Sequence, residues 1–219
     1  MPRERTARAW FGVAIIGFGF FFLLGMEVSA RGEPPLFLAW ERAWFDHSTL
    51  LAWRLTQSCY PSVLIPIATL LLVLAILLKS WRARMLMSVA SLLISWRAAD
   101  FFQHYFARPR PVDWVIKHEL TFSFPSSHAA IAVGFYGLWA ALLYWSELPK
   151  SFRTVAACGL AIFAAAICWS RLSLGAHFLT DIVGGALLGF IVAALCAAFV
   201  VAVFGRIAGP APREQNRAA

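Results

Sequence analysis

Polar residues cut this chain into six apolar stretches, roughly residues 10–28, 61–78, 85–106, 129–145, 152–169 and 179–204. Each approaches the about 20 predominantly apolar residues that an α-helix needs to cross a bilayer. The pattern predicts an all-α polytopic membrane protein, a six-transmembrane-helix bundle. In the third stretch Arg97, Asp100 and Gln103 interrupt the second half. Charge facing lipid is costly, so that half is expected to leave the lipid for a polar, protein-lined site. The first stretch follows Arg3, Arg5 and Arg8 and ends near Val28-Ser29-Ala30, a layout that a cleavable signal peptide shares. A retained helix fits better: the apolar run is long for a signal segment, and its loss would leave five spans and reverse the fit to the charge rule.

The connections carry the orientation. With both termini inside, the cytoplasmic pieces hold Arg3, Arg5 and Arg8, then Lys79, Arg82 and Arg84, then Lys150 and Arg153, then Arg206, Arg213 and Arg217. That is a consistent positive-inside pattern. The opposite face holds residues 30–60 and two further loops, whose arginines alternate with Asp46, Asp113 and Glu119. Between Pro35 and Cys59, Leu36, Trp40, Trp44 and Leu51 stand among charged residues, as in an amphipathic helix lying on the membrane surface; a plain capping helix over the bundle has the same pattern. Gly185 and Gly189 have the small-xxx-small spacing of close helix packing, expected within the chain before between chains. Residues 1–209 are expected to form a single membrane-embedded domain and 210–219 a disordered cytoplasmic tail.

Composition narrows the class. Hydrophobic residues make up 61% and charged residues 14%, far from a soluble domain. The formal charge of +8 raises nucleic acid as a partner, but the arginines come in short groups between apolar stretches and not on one face, so no nucleic-acid binding is expected. Cys158, Cys168 and Cys196 lie in apolar runs without CxxC or metal-type spacing, and Cys59 has no evident partner, so all four are read as packing residues.

Three polar clusters remain, and the topology puts them on one side: Arg108-Pro-Arg110-Pro111, Pro125-Ser126-Ser127-His128, and Ser170-Arg171 followed by His177 and Asp181. His177 and Asp181 are four residues apart, on one helical face. A carboxylate bonded to one imidazole nitrogen fixes the tautomer and leaves the other free to attack. Alone, such a pair is as well explained by structure at a helix start. Arginine forks that match phosphate oxygens change this, and Arg110 and Arg171 are read as phosphate ligands. Arg108 fits snorkelling to anionic headgroups somewhat better. Ser126 and Ser127 precede an apolar helix, where hydroxyls and unpaired backbone N–H groups suit an anion and where capping is the plain alternative. His128 opens that helix, placed to protonate a leaving oxygen. A zinc or magnesium site would need more converging ligands, and His104, His118, Asp113 and Glu119 show no recognisable spacing, so a reaction without metal or other cofactor is expected.

The order, spacing and membrane context of these clusters resemble the type 2 phosphatidic acid phosphatase family, the membrane branch of a superfamily that includes bacterial acid phosphatases and vanadium haloperoxidases. Its pattern is Lys, six residues, Arg-Pro; then Pro-Ser-Gly-His; then Ser-Arg, five residues, His, three residues, Asp. The third part is intact here as Ser170, Arg171, His177 and Asp181. The resemblance implies that His177 is the nucleophile forming phosphohistidine, Asp181 its orienter and His128 the acid, with Arg110, Arg171 and Ser126 holding phosphate. Two positions depart from it. Ser127 stands for the family glycine, keeping a backbone N–H, and Gln103 stands for the first-motif lysine, bringing a hydrogen-bond donor without charge. Transition-state stabilisation should fall unless Arg108 or Lys117 compensates.

The resemblance implies an integral-membrane lipid phosphatase at the outer, periplasmic face of the cytoplasmic (inner) membrane, acting on a phosphate or diphosphate monoester of a lipid headgroup. Undecaprenyl diphosphate leads the substrates, with phosphatidylglycerol phosphate, phosphatidic acid and lipid A 1-phosphate beside it. Two other classes stay open: a lipid phosphotransferase that passes the same phosphohistidine to another acceptor, and a noncatalytic lipid-binding relative, transporter or scaffold.

Overall fold

The computed structural model describes residues 2–45, 50–111 and 121–204. His118, Asp113, Glu119, Lys117, Asp46 and the expected disordered tail lie outside the described residues. Within them the chain is helical, without a strand. The helices are α1 (Pro2–Arg31), α2 (Pro35–Phe45), α3 (Leu50–Gln57), α4 (Pro61–Leu77), α5 (Arg82–Phe106), α6 (Ser127–Ile131), a π-helical turn (Ala132–Gly137), α7 (Leu138–Tyr144), α8 (Lys150–Ser173) and α9 (Leu179–Phe204). Among the described residues five spans are long and apolar enough to cross a membrane, α6 to α7 counting as one, and α3 with α4 passes the same test when the pair, bent by 43°, is counted as a single span.

The apolar stretches thus become helices, with two revisions. The segment expected to be one surface helix is divided. α2 stays mostly exposed, while α3 packs on α8 with Ala52 and Thr56 fully buried. The reason is length: the 17 residues of α4 reach only about 25 Å at 1.5 Å per residue, short of a hydrocarbon core of about 30 Å. The second revision concerns α5, which stays a continuous helix to Phe106. Gln103 faces the protein, whereas Arg97 is exposed and Asp100 partly so, and the two pair at 3.9 Å.

Core packing explains how the two long outer helices meet. Ala14, Phe21 and Val28, one stripe at seven-residue spacing on α1, are buried against Leu188, Ile191 and Ala194 of α9 and Phe106 of α5. Cleavage after α1 would uncover this face. Gly185 and Gly189 do work within the chain: a Cβ on either would lie 2.3 Å from a backbone oxygen, of Ser126 and Ala130 respectively. Only glycine admits that approach, and it fixes the start of α6 beside the first turns of α9. The π turn widens the same rod at Gly134, whose carbonyl takes a 2.6 Å hydrogen bond from Ser91 Oγ.

Candidate active site

Five segments deliver polar side chains to one end of the bundle: the α1–α2 elbow, the end of α3, the loop after α5, the start of α6, and the α8–α9 turn. At its centre His177 is 1% exposed and Asp181 fully buried. His177 Nδ1 lies 2.9 Å from the Ser123 carbonyl oxygen and 3.6 Å from Asp181 Oδ2. A carbonyl can only accept, so Nδ1 carries the proton and Nε2 keeps its lone pair. Nε2 points at Arg110 Nη1, 3.1 Å away.

The expected contact between Asp181 and His177 is therefore looser than spacing suggested, and Ser123 takes the close position. Asp181 acts through that residue: Ser123 Oγ donates to Asp181 Oδ2 in a very short bond, and Phe178 N donates to the same oxygen at 2.9 Å. The other oxygen, Oδ1, accepts from Arg108 Nη1 at 2.5 Å. Arg108 is buried, bonds Glu33 at 2.8 Å and lies 4.4 Å over the Phe178 ring. It does not reach out to headgroups. Sequence reading missed Ser123 and Glu33 altogether; the doubled Arg-Pro was the one available signal for Arg108.

Arg110 is held in a fixed fork. Its Nε donates to Thr121 O at 2.7 Å, Nη1 to Ala176 O at 2.8 Å, and Nη2 to Thr121 Oγ1 at 2.7 Å and Phe122 O at 3.2 Å. Arg171, 1% exposed, donates from Nη1 to Thr56 Oγ1 at 2.6 Å. The backbone of the same threonine bonds His128, which lies within the electrostatic reach of Arg171, His177 and Arg110. His128 Nε2 is buried and has no hydrogen-bond partner among the described residues. Thr56 thus aligns a cation and an imidazole at once, another role no sequence signal announced.

The remaining candidates take supporting places. Ser126 Oγ caps α6 by accepting from Ala129 N, and its own N–H donates to Asp181 O at 3.0 Å. Ser127 is the first residue of α6 and only partly buried. Gln103 turns its amide nitrogen to Pro125 O at 2.9 Å, bracing the loop that holds Ser123 and Ser126. His104 is on the exposed side of α5, its ring edge-on to Phe122. Among the described residues no group of three or more His, Cys, Asp or Glu has a geometry able to hold a metal ion.

In α2, next to the elbow, the titration of Glu41 is shifted. Burial pushes the Glu41 carboxyl from about 4.5 up to about 8, helped by Glu33 and opposed by the Leu179 N–H, which donates to it at 2.6 Å.

The sequence profile of the PAP2 superfamily matches residues 83–204, the span that carries all three clusters. The chain belongs to the PAP2 superfamily. This PAP2 chain is also similar in structure to the first transmembrane PAP2-type phosphatidylglycerolphosphate phosphatase from Bacillus subtilis, with a TM-score of 0.74, 23% identity, and coverage of 87% of this chain and 96% of the other. That likeness establishes the membrane-embedded fold. No functionally curated protein matches the chain.

Proposed function

We propose that the chain is a lipid phosphatase that cleaves a phosphate or diphosphate monoester from a lipid headgroup through phosphohistidine at His177, without a metal ion. The observation that carries this reading is His177 itself: one ring nitrogen tied to Ser123 O, the other lone pair facing the Arg110 fork at 3.1 Å. Nε2 attacks phosphorus, the bond from phosphorus to the lipid-side oxygen breaks, and that oxygen takes a proton from His128. The Arg110 N–H that faces Nε2 then meets a phosphoryl oxygen, so charge is stabilised by a donor already in place. The ring becomes cationic, and Asp181 at 3.6 Å offsets that charge. Water next attacks phosphorus, giving its proton to His128 and releasing phosphate and His177.

The positive-inside pattern supports a site at the outer face of the cytoplasmic membrane, with both termini inside. Undecaprenyl diphosphate is the first substrate to test. Phosphatidylglycerol phosphate, named for the Bacillus subtilis neighbour, stands beside it.

The test is phosphate release from a panel of purified lipid phosphates with chelator present, for wild type and His177→Ala. Release by the wild type and none by the variant is expected. Persistent release by His177→Ala overturns the nucleophile, and loss of turnover with chelator overturns the metal-free reaction. Products recovered on an added alcohol in place of water mark a phosphotransferase.

A further inference from the structure

Beneath His177 runs a chain of buried charge that the reaction above leaves unexplained. Arg108 bridges two carboxylates, Asp181 through Nη1 and Glu33 through Nη2, and all three side chains are at most 2% exposed. Glu33 is fixed in turn by the first turn of α9: the Thr180 N–H donates to it at 3.2 Å and the Thr180 hydroxyl makes a very short bond. Thr180 Oγ1 also accepts from Arg108 Nη1 at 2.8 Å. Glu41 closes the far end, meeting Glu33 side chain to side chain and accepting from Leu179 N.

The charge count decides what this arrangement does. An isolated Arg108–Asp181 pair at 2.5 Å would be neutral, with the negative charge of Asp181 drawn toward the guanidinium and away from His177. A cationic phosphoimidazole would then form beside a neutral pair in a buried site, where electrostatic interactions are strong. Glu33 alters the sum, since two carboxylates share one guanidinium and one net negative charge is left on the Glu33–Arg108–Asp181 trio. On the substrate side Asp181 lies 3.6 Å from His177, the group that becomes cationic when it is phosphorylated.

We infer that Glu33 is a positioning residue for phosphoryl transfer: by balancing Arg108 it leaves the charge of Asp181 available to the imidazolium that forms at His177. This deepens the phosphohistidine reading and rests on it. Glu33 and Thr180 are 147 residues apart in the chain, so the α1–α2 elbow supplies an electrostatic part of a site whose other groups come from Thr56 and from residues 103–181.

The test uses the full chain in detergent or vesicles, with kcat and KM on whichever lipid phosphate the wild type turns over. Glu33→Gln is expected to lower kcat about 10- to 100-fold, the usual cost of removing an outer partner of a reacting group, with KM little changed. The decisive variant is Glu33→Gln with Arg108→Gln, which removes one charge of each sign. It is expected to recover at least about tenfold in kcat over Glu33→Gln alone, because Asp181 is again unshared. A purely structural role predicts the opposite, since the double variant loses more contacts. Wild-type kcat in Glu33→Gln, or a double variant slower than the single one, overturns the inference. Should Glu33→Gln fail to fold, the double variant decides alone: kcat within about tenfold of wild type supports the inference and a loss beyond about a hundredfold overturns it. His177→Ala, run in parallel, separates the two claims. If it is active, the phosphohistidine reading fails; if it is inactive while Glu33→Gln matches wild type, only the role of Glu33 fails.

Discussion

Gln103→Met removes one hydrogen bond from the candidate site and little else. Both side chains are unbranched and of similar reach, so packing in the buried position is nearly kept. What disappears is the 2.9 Å bond from Gln103 Nε2 to Pro125 O. Leaving a buried carbonyl without its donor costs about 1–3 kcal/mol. For a protein of this size, about 2–4 °C of melting temperature corresponds to each kcal/mol, so thermal unfolding in detergent should show a loss of several degrees.

Activity should fall further than stability suggests. Pro125 lies between Ser123, whose carbonyl fixes His177, and Ser126, whose N–H bonds Asp181 O. A displacement of about 1 Å at a reacting group can cost on the order of a hundredfold in rate. Gln103→Lys gives the contrasting arm: it keeps a donor for Pro125 O and restores a positive charge. It should hold its melting temperature and raise phosphate release. If Gln103→Met melts and turns over like the wild type, Gln103 does not brace the loop.

Three further outcomes follow from the geometry. Gly189→Leu should abolish folding or cost well over about 3 kcal/mol, since backbone and not a flexible side chain occupies the space, and folded yield on size exclusion reads it. Ala107 ends α5 with φ of 47°, a left-handed conformation that costs a non-glycine residue about 1 kcal/mol, so Ala107→Gly should raise the melting temperature. Glu41 binds its proton more tightly folded than unfolded, so between about pH 4.5 and pH 8 the unfolded chain releases that proton first and stability falls as pH rises. Against Glu41→Gln, which cannot titrate, the wild type should lose ground across that window and hold a constant deficit above it; a wild type that gains with pH would refute the shift.

Much of this was legible in the chain itself, for a physical reason. A helix crossing lipid must satisfy its backbone internally and present apolar side chains for its whole length, so the positions of α1, α5, α8 and α9 are written locally. The same holds for the pairing of Gly185 and Gly189 with a neighbour. The α3–α4 bend was not legible, because residues 35–59 alternate polarity in a way that suits both a surface helix and a buried one. In the site, the four-residue spacing put Asp181 near His177. It could not show that Ser123 O stands closer, nor that Thr56 joins Arg171 to His128. Those contacts join residues from 54 to 115 positions apart, and no periodicity encodes them. The pairing of Glu33 with Arg108 was hidden for the same reason: Glu33 reads as an ordinary loop charge until Arg108 is placed beside it.

The glycine contacts between α6 and α9 also govern how the end of the bundle that carries the candidate site can change shape. Where main chain rests on main chain there is no slack, so the helix starts that carry His128 and Asp181 move as one rigid block. A bulkier headgroup cannot be admitted by prising them apart. Room for a larger group comes more readily where side chains meet the site, as Glu41 of α2 and Thr56 of α3 do, since those can be exchanged one at a time.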